Sequence, residues 1–347
     1  MHMADALLSP VVGGAMWAGT LGTIIYCAKK LKEKMDEKMI PLMGVLGAFI
    51  FAGQMINFTI PGTGSSGHIG GGMLLAILLG PYAAFLVISS VLIIQALFFA
   101  DGGLLALGAN IWNLGIYPCF IGYPLIYRML VRGARSAKKI MLASIISVVA
   151  GLQLGAFSVI LETKLSGITE LPFSAFVALM QPIHLAIGLV EGFITAGIVI
   201  YVRNIRPDIV EDLQGVKVLS SGGSMKKALI TLAILAVITG GAFSWFASTH
   251  PDGLEWSIEK IYGKPEIPEK VNPVTENLSE IQKKTAILPD YSFPSQGGQE
   301  EEKPSWPAVD PGTSLSGLLG GLMVLGLVVI FGLGIKMIRK LGKRHVL

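Results

Sequence analysis

The chain has 347 residues, 52% of them hydrophobic and only 14% charged, with 43 glycines and a formal net charge of +4. That is too apolar for a soluble protein of this length and predicts an all-α, polytopic membrane protein. Its two cysteines, Cys27 and Cys119, lie in apolar stretches and exclude a disulfide framework or a thiolate metal site, and its basic residues cluster in loops, where they signal orientation rather than nucleic-acid binding.

The chain opens Met1-His2-Met3-Ala4-Asp5 and runs straight into an apolar segment. With Met1 retained ahead of the bulky His2, the Met1 amine, the deprotonated His2 backbone nitrogen and a His2 imidazole nitrogen would close a five- and a six-membered chelate ring. Three nitrogens in one plane suit a d⁸ or d⁹ ion such as Ni(II) or Cu(II). Read alone, the same residues are more simply a frayed terminus. No basic leader precedes the first apolar stretch, so no cleavable signal peptide is expected.

Residues 7–28 are long enough to span. The basic run Lys29 to Lys34 is expected inside, which places the N-terminus outside. Residues 40–59 return to the outer face, where Pro61-Gly62-Thr63-Gly64-Ser65-Ser66-Gly67-His68 forms a Gly/Ser loop ending on a histidine. Residues 69–100 are too long for one helix. Gly80-Pro81 divides them into crossings at 69–79 and 82–100, the first only about 17 Å long. The loop before so short a helix must dip into the membrane, which is tolerated where protein buries it or it lines a cavity.

After the turn Asp101-Gly102-Gly103, crossings at 104–130, 140–161 and 173–202 complete seven in a first unit, 1–210. A cytoplasmic linker, 211–227, leads to a second unit, 228–347. Its two crossings, 228–247 and 315–338, flank an outer loop of about 248–314. From His250 to Pro311 that loop carries twelve acidic residues against six lysines. It reads either as a solvated linker or as a device that concentrates cations. Nine crossings put every basic cluster on the cytoplasmic side and the C-terminus inside.

His68 then shares a side with Met1 and His2 and offers the fourth nitrogen; the competing reading is a solvated loop histidine. Gln54 and Asn57 share a helix face, as do Asn110 and Asn113. Intramembrane polar groups face the bundle interior, either orienting ligands and holding the N-terminal segment or bonding helix to helix. Asp101 either attracts a cation or is an ordinary turn residue. His184 and Glu191, one helical repeat apart, are expected to pair rather than mark a release path. Gly44, Ala48 and Ala52 place small residues at every fourth position, for close packing by a partner subunit or within the chain.

Met1 to Pro10, Gln54-Met55-Ile56-Asn57-Phe58, Gly67-His68 and Gln95 to Gly103 together resemble the NikM/CbiM family, the substrate-binding S-components of energy-coupling factor (ECF) nickel and cobalt transporters. The resemblance covers residues 1 to about 210. It implies that the N-terminal segment folds back into the bundle and that the metal is held by the Met1 amine, the His2 backbone nitrogen and side chain, and His68. The loop around His68 departs slightly from the shorter family pattern but keeps the histidine. The two final helices around His250-Pro251-Asp252-Gly253-Leu254-Glu255-Trp256 are similar to the small NikN/CbiN accessory subunit, fused here.

The expected function is therefore binding of Ni(II), or Co(II), at the outer face and its delivery into the cell. A deprotonated amide ligand excludes Mg(II) and Ca(II) and disfavours tetrahedral Zn(II). The chain carries no Gly-x4-Gly-Lys-Ser/Thr phosphate loop and is not expected to be an enzyme. The resemblance implies a transmembrane T-component (NikQ/CbiQ-like) and ATPase subunits (NikO/CbiO-like) as partners, with lipid around the bundle in a prokaryotic cell membrane. Two other classes stand beside this one: an ion-driven secondary transporter using His184 and Glu191, and an intramembrane hydrolase using Ser65 or Ser66 with His184.

Overall fold

A computed structural model describes residues 2–34, 39–132, 136–207, 209, 224–268, 272–293 and 307–344. Met1 and residues 211–223 of the expected linker lie outside the described residues. The helices of the first unit are α1 (Pro10–Lys34), α2 (Met39–Gln54), α3 (Gly72–Leu79), α4 (Pro81–Phe99), α5 (Leu107–Val131), α6 (Ala137–Ser166) and α7 (Phe173–Ile205). Those of the tail are α8 (Met225–Gly241), α9 (Gly253–Tyr262), α10 (Pro273–Thr285) and α11 (Pro311–Arg344). Six of them, α1, α4, α5, α6, α7 and α11, are long and apolar enough to cross a membrane.

The apolar runs read from the sequence coincide with helices, but their ends differ where chemistry other than hydropathy decides. The first helix starts at Pro10, not at residue 7, because proline has no N–H to lose at a helix start. Asp5–Leu7 instead forms a 3₁₀ turn, with Leu7 and Leu8 buried. The second helix stops at Gln54, so Asn57 lies beyond it and does not share a helical face with Gln54. Phe58–Ile60 then pairs antiparallel with Ser65–Gly67. The turn between them places Gly62 at φ 77° and Gly64 at φ 74°, which side-chain-bearing residues adopt only with strain. The expected Gly/Ser loop is thus a short hairpin, buried on its second strand.

The break at Gly80-Pro81 is real: α3 ends at Leu79 and α4 begins at Pro81. α5 holds Pro118 and Pro124 inside a stretch of wider π turns from Trp112 to Tyr127. Each proline removes a backbone donor and crowds the preceding turn, and local widening accommodates both.

The tail packs onto α2. A Cβ at Gly44 would meet Leu325 and Val329 of α11 at 3.3–3.4 Å, and Ala48 lies against Gly321. Ala52 is fully buried. Two residues of the small-residue stripe, Gly44 and Ala48, thus lie against the chain's own last helix. Nor is the outer loop a plain linker. Asp252 opens α9 by accepting from the Leu254 and Glu255 nitrogens (2.8 and 2.9 Å), while the Glu255 carboxylate accepts from the Asp252 nitrogen at 3.0 Å. Asn272 opens α10 through its own reciprocal cap.

Candidate metal centre

The N-terminal segment lies against the start of α5 and the loop before it, and is held by one main-chain bond and by the side chains of Asn110 and Asp5. The Met3 nitrogen donates to Asn110 Oδ1 (2.8 Å), and the Met3 carbonyl accepts from Asn110 Nδ2 (3.2 Å) and from the Gly103 nitrogen (3.0 Å). Asp5 Oδ1 accepts from the Ala106 nitrogen at 2.9 Å. The Met3 side chain is fully buried. Asn110 thus supplies both a donor and an acceptor to one residue, the arrangement an amide alone can provide.

This tether sets His2 beside His68. The two imidazoles stack with centroids 5.1 Å apart and planes 12° from parallel. Burial strips water from both rings and pushes each from the ordinary 6.5 down to about 3, so both are neutral at physiological pH. His68 Nδ1 lies 3.1 Å from the Ile69 carbonyl, which can only accept. The proton therefore sits on Nδ1, and the lone pair sits on Nε2. His2 Nδ1 lies 3.3 Å from Asp101 Oδ1, and Asp101 Oδ2 accepts from the Tyr291 hydroxyl at 2.5 Å. Burial raises the Asp101 carboxyl. Among the described residues no three His, Cys, Asp or Glu side chains are arranged to hold a metal ion. Among the described residues the side chains supply two imidazoles here, and a fuller donor set needs groups beyond these side chains.

The other expected residues fall into two groups. Gln54 belongs to a buried relay: Gln95 Nε2 donates to Gln54 Oε1 (2.9 Å), and Gln54 Nε2 donates to the Gly70 carbonyl (2.8 Å). Asn57 contributes its carbonyl to the Ser248 nitrogen at 2.6 Å, tying the hairpin to the tail. Asn113 Nδ2 donates to Glu162 Oε2 at 2.8 Å and lies 4.0 Å from the Met3 sulfur.

His184 and Glu191 do not pair. His184 Nδ1 donates to the Met180 carbonyl (2.8 Å), while Glu191 accepts from the Gly70 and Gly71 nitrogens (2.7 and 2.8 Å). Glu191 therefore clamps the backbone just after His68. The serines are also committed to the backbone. Ser65 Oγ donates to the Ser66 carbonyl, and Ser66 Oγ donates to the carbonyls of His250 and Pro251. Neither serine is hydrogen-bonded to His184, and no nucleophile–base pair is formed.

From the outside the hairpin is gripped by the tail. The Ser66 nitrogen donates to the Pro251 carbonyl (2.8 Å), and Trp256 Nε1 donates to the Thr63 carbonyl (3.0 Å). Between the tail and the N-terminal segment lies a vestibule of about 900 Å³. Its walls include His2, His68, Asp101, Asp252, Glu255 and Asp290. Tyr291, Asp252 and Trp256 escaped the sequence reading as site residues. The Asp252-Gly253-Leu254-Glu255 spacing of a helix cap was the local signal available for one of them.

The chain is also similar in sequence and fold to known proteins. The CbiM family, described as the cobalt uptake substrate-specific transmembrane region, matches residues 2–209. The PDGLE domain matches residues 226–337. The "Putative fused nickel transport protein NikMN" of Archaeoglobus fulgidus is 35% identical over 329 residues, 94% of this chain and 96% of that protein. The cobalt transport protein CbiM of Sorangium cellulosum is 33% identical over 227 residues, 65% of this chain and 100% of that protein. A solved structure described as a truncated transition metal transporter is 34% identical with a TM-score of 0.52, covering 58% of this chain and 98% of its own. With an N-terminal metal-uptake region and a PDGLE domain in one multi-pass membrane chain, the protein belongs to the CbiM family of metal-transport proteins.

Proposed function

We propose that this chain captures Ni(II), or Co(II), at the outer face of the membrane and delivers it inward as the S-component of an ATP-driven ECF-type importer. The observation that carries this reading is the stacked, buried and neutral His2–His68 pair, held at the floor of an acidic vestibule. Nδ1 of His2 is the nitrogen that closes a six-membered ring with its own amide, so loading would exchange the Asp101 contact for the ion. The Met1 amine and the His2 amide nitrogen complete a planar set with His68, and a deprotonated amide favours Ni(II) over harder cations. Imidazoles that are already neutral need lose no net proton to bind the ion, whereas the amine and the amide must. Asp101, Asp252, Glu255 and Asp290 lower the electrostatic barrier to a divalent cation entering the vestibule. The N-terminus and vestibule lie outside and the C-terminus inside. A transmembrane T-component and two ATPase subunits supply the energy.

The test is metal analysis of the purified full chain. Wild-type protein retains about one Ni(II) or Co(II) through purification, while His2→Ala, His68→Ala and a variant with one residue inserted before Met1 lose this tightly held ion. Full loading of the insertion variant would refute the role of the amine. Metal uptake by the purified chain alone, driven by a proton or sodium gradient, would replace the ATP-driven reading with a secondary transporter.

A further inference from the structure

Directly beneath His68 is a cavity of about 10 Å³, roughly the room for one water. His68, Gly70, His184, Asp252 and Gly253 line it, with Leu114 and Leu152 on the apolar side. His184 comes from the middle of α7 and is 1% exposed. Its Nδ1 faces the Met180 carbonyl, an acceptor only, so the proton is fixed on Nδ1 and the lone pair on Nε2. Nε2 is buried and has no hydrogen-bond partner among the described residues. Gly253 of the tail rests against the ring: a Cβ there would stand 3.2 Å from His184 Cε1. An imidazole oriented by a carbonyl at one nitrogen, with a bare lone pair at the other, is the arrangement of a metal-ligating histidine. Most buried polar atoms find a partner, so an unpartnered Nε2 facing a cavity calls for a ligand or water.

A second small cavity continues inward. It shares Gly70, Leu114 and Leu152 with the first and is lined by Asn113 and Glu191. The sequence of polar groups from the outer face is therefore His2, His68, His184, then Glu191 and Asn113.

Building on the outer site proposed above, we infer that His184 is a relay ligand: the divalent cation leaves the outer site by exchanging His2 for His184 while His68 stays bound, with Asp252 as the adjoining carboxylate. The bonds to the Met1 amine, the His2 amide and the His2 imidazole break as those to His184 and Asp252 form, and the released amide and amine take up protons from solvent. In their present positions the described side chains form no three-ligand cluster, so the station assembles only when the Glu191 clamp on the Gly70 and Gly71 nitrogens yields and His68 moves toward His184. Imidazole and carboxylate donors without a backbone amide no longer impose a plane, and Co(II) there takes a four-coordinate, non-planar geometry.

Co(II) is the probe, because its visible bands report geometry. In the full-length His2→Ala chain, which lacks the outer plane, Co(II) binds weakly with the intense bands of tetrahedral coordination. Adding His184→Gln removes those bands. No residual Co(II) binding in His2→Ala, or unchanged bands in the double variant, overturns the relay. In the intact importer, His184→Gln keeps wild-type outer-site affinity and thermal stability but lowers metal uptake at least tenfold. Unchanged uptake overturns the inference, as does a loss of affinity equal to the loss of uptake. Full loading of the His2→Ala chain with wild-type affinity would instead refute the outer site itself.

Discussion

Replacing Asn110 by alanine isolates what the N-terminal tether contributes. The substitution leaves the Met3 nitrogen buried without an acceptor, at a cost of about 1–3 kcal/mol. The Met3 carbonyl loses one donor but keeps the Gly103 nitrogen, so that loss is smaller, about 0.5–1.5 kcal/mol. Together the docked segment weakens by roughly 2–4 kcal/mol, or about 30- to 1,000-fold in its docking equilibrium. Apparent metal affinity falls with the fraction of chains left docked, so a chelator-competition titration should show weaker binding, by at most the same roughly 30- to 1,000-fold. Hydrogen exchange at residues 3–8 should accelerate in parallel. Asn110→Asp keeps the acceptor and loses only the donor, and should lie between the two. Wild-type affinity together with wild-type protection in Asn110→Ala would refute the idea that this amide positions the ligands.

Acid should undock His2. Its folded value of about 3 lies below the ordinary 6.5, so the undocked segment takes up a proton that the docked one refuses. Docking strength is full above pH 6.5 and declines as pH falls toward 3. By pH 5 the loss is about 2 kcal/mol, visible as faster exchange of the N-terminal amides in metal-free protein at pH 5 than at pH 7. Trp256→Ala removes a hydrogen bond to the hairpin and a half-buried indole, a loss of about 2–3 kcal/mol; limited proteolysis within 253–285 should speed up, and an unchanged cleavage rate would count against the tail gripping the hairpin. Gly317→Ala drives a Cβ into the Gly240 backbone, where α8 and α11 touch. With backbone rather than a flexible side chain in the way, the two helices must separate, costing about 1–3 kcal/mol; a lowered thermal midpoint with unaltered metal affinity is the expected pair of results.

Much of this architecture is legible in the sequence because hydropathy and proline act locally. The apolar runs mark the helices, and Gly80-Pro81 marks the break between α3 and α4. What escaped reading depends on partners far along the chain. Glu191 looked like the natural mate of His184 because they share a helical face, yet its two acceptors are taken by glycine nitrogens about 120 residues away. The Gly44, Ala48 and Ala52 stripe announced close packing without naming the helix that fills it. Of the candidate site, His2, His68, Gln54, Asp101 and Asn110 are gathered at one end of the bundle, but no local pattern ties Tyr291 to Asp101 across 190 positions. The caps of α9 and α10, by contrast, are local chemistry that could have been read, since Asp252 and Glu255 stand three apart ahead of an amphipathic run.

The tail's hold on the hairpin rests on a few bonds of modest individual strength, at Asn57, Thr63 and Ser66. As a separate subunit such a contact would be weak and would depend on how much of the partner the cell makes. Joined in one chain, the two surfaces meet at an effective concentration set by the connection, of millimolar order when the linker is short and flexible. The contact can then be occupied most of the time and still break quickly. Fusion fixes the stoichiometry at one to one and separates occupancy from lifetime, so a cover over the site can be both dependable and fast to lift.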